Sequence, residues 1–164
     1  MNINLANIIA TFLGSGLSKF APGTAGSLAT LPLAYILIYF GGWKALIGGA
    51  VVLFFIGTKA TEVVIKNTGN EDPSKVVIDE VVGQLLSFSL LTYLSKNYLI
   101  GEASILYYIV GFILFRFFDI LKMGPVKYAD TKIKNAYGVM LDDVFAGIFA
   151  SVLLLAFHLM LINL

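Results

Sequence analysis

The chain has 164 residues, 59% of them hydrophobic, no cysteine, and 11 Lys plus Arg against 10 Asp plus Glu for a formal net charge of +1. The lack of cysteine excludes disulfides, Cys-ligated zinc, iron-sulfur clusters and every cysteine-nucleophile mechanism, and the balanced charge gives no reason to expect a nucleic-acid partner. The apolar share exceeds the roughly 45 to 50% of soluble proteins and argues for one membrane domain over 1–164.

The N-terminal stretch MNINLANIIATFLGSGLSKF has no basic residues ahead of its apolar run, so it reads as an interfacial helix rather than a cleavable signal. Residues 14–27, GSGLSKFAPGTAGS, form a glycine-rich lead into the first apolar run. Free N–H groups at a helix start make an anion site, but the GxxxxGK[ST] pattern of a P-loop is missing. Apolar runs follow at about 28–41, 45–58, 81–94, 103–121 and 144–164. The last two reach the roughly 17 to 25 residues of a spanning helix, and the first three do so only with their flanks. Alternation with period 2 is absent, and a spanning backbone must satisfy its own hydrogen bonds. The expected fold is therefore an all-α multipass bundle of about five apolar helices plus the N-terminal interfacial helix.

Gly41-Gly42-Trp43-Lys44 reads as a short turn. The helix after it extends past the bilayer, with Lys59, Glu62 and Lys66 on a solvated face. The Asp72-Pro73 step predicts an N-cap followed by proline at N1, hence a helix from Pro73 through Asp79 and Glu80. With five crossings, 14–27, 59–80 and 122–143 lie on one side. That side carries Lys19, Lys59, Lys66, Lys75, Lys122, Lys127, Lys132 and Lys134, with Arg116 close by, while the other has Lys44 and Lys96. The asymmetry orients the motif side toward the cytoplasm.

Carboxylates stand at the mouths of these runs: Asp79-Glu80, Asp119 and Asp142-Asp143. A charge at a bilayer centre costs about 2.5 to 3.5 kcal/mol on insertion scales, so such groups need water, a metal or a cation. Asp79 and Asp143 each have a glycine four residues later, Gly83 and Gly147, which would let two helices approach and bring the acidic pairs together. Converging oxygen ligands suit Mg²⁺, whereas either pair alone fits stabilisation of a helix N-terminus equally well. Arg116, Asp119 and Lys122 share one helical face, either as a phosphate-holding stripe or as an interfacial ion-pair network. The single histidine, His158, falls near the opposite membrane face and reads as structural.

The motifs GSGLSKFAPGTAGSL, DPSKVVIDEVVGQLLSF, FRFFDILKMGPVKYAD and YGVMLDDVFAG, in this order, resemble those of the phosphatidylglycerophosphatase A family of bacterial membrane lipid phosphatases. The resemblance implies Mg²⁺-dependent hydrolysis of the phosphomonoester of phosphatidylglycerophosphate at the inner (cytoplasmic) membrane, with membrane lipid as the other partner. It also implies a metal site of Asp79, Glu80, Asp142 and Asp143, with Asp119 beside them as a further catalytic acid. Lys122, Thr24 and Ser27 are the substrate-binding residues it implies, and Arg116 and Lys19 are expected to bind substrate beside them. One departure is Met123, where the family pattern usually has proline directly after the lysine. The expected mechanism is metal-activated water attacking phosphorus in line, with an aspartyl-phosphate intermediate as the alternative. A small ion-coupled transporter is the competing class, but it calls for acids in mid-span, and here they gather at one rim.

Overall fold

The computed structural model describes residues 1–101 and 104–163. Glu102, Ala103 at the start of the fourth apolar run and Leu164 at the end of the fifth lie outside the described residues. Among the described residues the protein is all helical: α1 (Ile3–Ala10), α2 (Pro22–Thr68), α3 (Ile78–Ser87), α4 (Ser89–Ser95), α5 (Ser104–Leu121), α6 (Pro125–Lys132) and α7 (Ala136–Ile162).

Three of these helices, α2, α5 and α7, are long and apolar enough to cross a membrane. The expectation of about five is corrected accordingly. The runs 28–41 and 45–58 form the two limbs of α2 on either side of Gly42, and the run 81–94 is divided between α3 and α4 at Phe88, each too short to cross alone. The N-terminal helix exists as α1, which buries Ala6 and Ala10. Much of the surface of the long helices is apolar and exposed, including Phe40, Phe55, Ile105, Ile113, Val152 and Met160. A soluble monomer does not leave patches of that extent to water.

The long helix α2 reverses within itself. Gly42 sits at φ 61°, ψ −149°, a backbone conformation that only glycine adopts without strain. Leu37 then lies 3.1 Å from where a Cβ on Gly49 would be, although twelve residues of straight helix would separate them by about 18 Å. Gly26 and Gly57 likewise pack on the neighbouring residues Val77 and Ile78, which a straight rod could not do. Both limbs of α2 therefore meet the start of α3, and the expected turn at 41–44 is the point of reversal.

Helix α3 begins at Ile78, not at Pro73. Val77 is held out of helical geometry at φ −139°, and its N–H donates to the carbonyl of Ala10 at the end of α1 (2.8 Å). That long-range bond outweighs the local Asp-Pro signal. Asp79 and Glu80 consequently occupy the first turn of α3, where the helix dipole favours negative charge.

At the other end of the bundle, the Lys96 ammonium donates to the Tyr39 carbonyl (2.7 Å), Trp43 packs edge-on to Tyr93, and His158 Nδ1 lies 3.0 Å from the Tyr107 hydroxyl. His158 is buried between Tyr98 and Tyr107. The solvated face expected on the second limb of α2 carries the exposed Glu62–Lys66 ion pair.

Candidate active site

The two acidic pairs come together because two glycines let the helices carrying them touch. A Cβ on Gly83 would stand 2.5 Å from the carbonyl oxygen of Asp143, and one on Gly147 would overlap the Gly83 carbonyl. The α3 and α7 backbones thus meet directly beneath the acidic residues, as the spacing of four predicts.

Above this contact lies a cavity of about 370 Å³, walled by the start of α2 (Pro22, Gly23, Thr24), the first turn of α3, the end of α5, the turn at Lys122, and the first half of α7. Among the described residues its lining holds eight carboxylates, Glu71, Asp72, Asp79, Glu80, Asp119, Asp130, Asp142 and Asp143, against three cations, Arg116, Lys122 and Lys134. That excess of negative charge would repel an anionic substrate unless a cation joined it.

One ligand oxygen each from Asp79, Glu80 and Asp143 can be chosen so that all lie within 4.8 Å of one another. Glu80 Oε2 and Asp143 Oδ1 are buried without a hydrogen-bond partner among the described residues. Buried oxygens in that condition are costly unless something positive meets them. Burial pushes the Asp79 carboxyl well above the ordinary carboxylate range, and the adjacent Glu80 charge adds to the shift. Burial likewise raises Glu80, with Asp119 adding to the effect and Arg116 opposing it. Converging hard oxygens with spare lone pairs are the donor set of a Mg²⁺-like ion. The residues present fit that group.

The acids of each pair have different surroundings. Asp79 Oδ1 accepts from the Glu80 N–H and Asp142 Oδ1 from the Asp143 N–H, each at 3.0 Å, which fixes both side chains. Asp142 Oδ2 is bound to the Lys122 ammonium at 2.9 Å, so Asp142 faces the cation and stands apart from the three-carboxylate cluster. All four acids of the expected metal site line the cavity; Asp79, Glu80 and Asp143 offer oxygens within 4.8 Å of one another, and Asp142 is paired with Lys122.

Lys122 also pairs with Asp130, an acid within the quoted KYAD segment to which the sequence reading assigns no role. Burial alone would lower the Lys122 pKa, but its bonds to Asp130 and Asp142 hold it above the ordinary lysine value, so it stays charged. The backbone of Lys122 itself is left-handed at φ 45°. Arg116 pairs with Asp119 three residues later and lies 3.7 Å from Glu80.

Gly23 packs so tightly against Glu80 that any side chain there would strike the carboxylate. The first turn of α2 therefore lies against the acid cluster, with Pro22, Gly23 and Thr24 on the cavity wall. Two of the proposed substrate contacts lie elsewhere. Lys19 is exposed in the loop before α2, beside the exposed Leu17 and Phe20. Ser27 is buried, and its hydroxyl donates back to the Gly23 carbonyl inside the helix (2.9 Å).

The family model for phosphatidylglycerophosphatase A matches residues 8–158. The chain is similar to "Phosphatidylglycerophosphatase A" of Haemophilus influenzae, 35% identical over 154 residues, which covers 94% of this chain and 89% of that protein. The corresponding Escherichia coli K12 protein is 28% identical over 145 residues, 88% of this chain and 78% of its own length. A Bacteroides thetaiotaomicron protein named "Putative phosphatidylinositol-3-phosphatase" is 37% identical over 151 residues, 90% of this chain and 89% of that protein. No solved structure matches the chain. The bacterial relatives and the apolar helices are consistent with an inner-membrane protein.

Proposed function

The chain belongs to the phosphatidylglycerophosphatase A family and is a phosphoric monoester hydrolase, and from that premise we propose that it removes the terminal phosphate of phosphatidylglycerophosphate with the help of Mg²⁺. The observation that carries the reading is the convergence of Asp79, Glu80 and Asp143 on one point of a cavity also lined by Arg116, Lys122 and the start of α2.

Asp79, Glu80 and Asp143 would hold the ion. When bound, it supplies positive charge for the phosphoryl oxygens and lowers the pKa of a coordinated water. The chain's own groups do the rest. Lys122, fixed between Asp130 and Asp142, presents a permanent charge to the phosphate. Its raised pKa suits it to a charge clamp and makes it a poor proton donor. Arg116 and the N–H groups at the start of α2 offer further donors on the same side. Hydrolysis forms a bond from water oxygen to phosphorus and breaks the phosphorus–oxygen bond to glycerol. A cavity carboxylate takes the water proton, and the departing alkoxide is protonated in turn.

A transporter is not favoured, because the acids gather at one end of the bundle and the family is a phosphatase family. The site end is proposed to face the cytoplasm. Lys44 and Lys96 mark the far end, and the remaining lysines fall in the loop before α2, the second limb of α2, the segment before α3 and the stretch 122–134.

The test is phosphate release by purified protein from phosphatidylglycerophosphate, phosphatidylinositol 3-phosphate and phosphatidic acid, each with Mg²⁺ and with chelator. Release from phosphatidylglycerophosphate that stops with chelator is expected. Full turnover in metal-free protein would refute the metal role, and preference for the phosphoinositide would move the substrate to that of the Bacteroides relative's name.

A further inference from the structure

A cavity of about 370 Å³ has room for a head group but not for a diacyl lipid. The chains of a lipid substrate must therefore leave it along the apolar surface. A second groove, of about 570 Å³, begins beside it and is walled by Phe118, Met123, Ile148, Phe149, Val152 and Leu153. The Phe118 and Phe149 rings pack at 5.4 Å and form its floor, while Met123, Ile148, Val152 and Leu153 are exposed.

Neighbouring residues of the chain line the groove and the cavity, although no residue lines both. Phe118 lines the groove and Asp119 the cavity; Met123 lines the groove and Lys122 the cavity. The turn between them contains two left-handed residues, Lys122 at φ 45° and Gly124 at φ 54°. It holds the Lys122 ammonium against Asp142 and leaves Met123 to the groove. Along α7 the ten residues from Asp143 to Leu153 rise about 15 Å, which is half of a hydrocarbon core of about 30 Å.

We propose that this groove seats one acyl chain of the lipid whose phosphomonoester occupies the cavity, and so sets the depth at which the ester bond meets Asp79, Glu80 and Asp143. The proposal rests on the lipid-phosphatase reading. A lining without charged side chains offers nothing to a second head group or an ionic peptide, and its place one residue along the chain from Asp119 and Lys122 matches the head-and-tail layout of a phospholipid. Met123, unbranched and adaptable, suits contact with a flexible chain.

Two measurements decide it. Protein in phosphatidylcholine vesicles is irradiated with either phosphatidic acid or phosphatidylcholine bearing the same diazirine-tailed chain. The phosphomonoester probe is expected to label 148–153 about fivefold more than the choline probe, a difference of about 1 kcal/mol in occupancy. Equal labelling by both probes would mean bulk lipid alone and would overturn the proposal.

The second measurement is the ratio of kcat/KM for long-chain phosphatidylglycerophosphate to that for its deacylated, water-soluble counterpart. Val152→Trp, filling the groove, is expected to lower that ratio about tenfold. Ile113→Trp, on the exposed face of α5 outside the groove, is expected to leave it within about twofold of wild type. An unchanged ratio in Val152→Trp overturns the proposal, as does an equal fall in both variants. Wild-type protein that releases phosphate from neither compound would refute the phosphatase reading, and the labelling contrast would still locate the chain.

Discussion

The two ends of the bundle both bury polar side chains, and they do so in opposite ways. At the far end His158 and Tyr107 share a 3.0 Å contact, and Lys96 donates to the Tyr39 carbonyl. Each of these groups has a partner, although the neighbouring buried Tyr108 hydroxyl has none among the described residues, and together they tie α2, α5, α7 and the segment around Lys96 to one another. At the other end Asp79, Glu80 and Asp143 crowd like charges together and leave Glu80 Oε2 and Asp143 Oδ1 with no partner among the described residues. Paired polar groups stabilise a fold, whereas gathered, unpaired carboxylates are held in place at its expense. The difference separates a structural cluster from the site proposed to hold a cation.

The largest effect that would break this contrast comes from the acids themselves. Glu80→Gln or Asp143→Asn is expected to lower kcat/KM by on the order of 10² or more, about 2.7 kcal/mol of transition-state stabilisation. Thermal unfolding of the metal-free variants should be no less stable than wild type, because a repulsive charge has been removed. Near-normal kinetics in both variants would reassign the cluster to helix-terminus stabilisation.

Next comes the contact that holds the pairs together. Gly83→Ala places a methyl group against the Asp143 carbonyl and the Phe115 ring. A loss of about 1 to 3 kcal/mol in stability is expected from such overpacking, accompanied by lower activity. Chemical denaturation beside a phosphate-release assay checks both, and an unaltered protein would show that α3 and α7 need not touch.

The Lys122 clamp should matter less than the acids and in a graded way. Lys122→Met is expected to cost about thirtyfold in kcat/KM, and Asp130→Asn, which leaves Lys122 its bond to Asp142, about tenfold. Equal losses would mean that Asp130 does more than position the lysine.

At the far end, the expectation reverses. His158→Phe should keep kcat/KM within about twofold while lowering stability by about 1 to 3 kcal/mol, since the buried Tyr107 hydroxyl loses its partner. Smallest of all, Lys66→Ala removes an exposed pair and should shift stability by no more than about 0.5 kcal/mol. A strong activity loss in His158→Phe would erase the distinction between the two ends.

The sequence by itself determined the helical class, the apolar surface and the acidic pairs. These follow from periodicity, composition and the cost of charge beside membrane-like runs, all of which are local. It also determined the meeting of α3 with α7, because a glycine four residues after an acid lies on the same helical face whatever the fold. Tertiary structure alone decided that Val77 would bond to Ala10 across the chain and delay α3 to Ile78, and that both limbs of α2 would pack on the start of α3. It also decided which aspartate of a pair does what. Asp142 and Asp143 are interchangeable as letters, but successive residues on a helix point about 100° apart. One therefore meets Lys122 while its neighbour meets Asp79 and Glu80. Asp130 stayed illegible for the same reason: its partner, Lys122, lies eight residues back across a left-handed turn, and no helical spacing relates them.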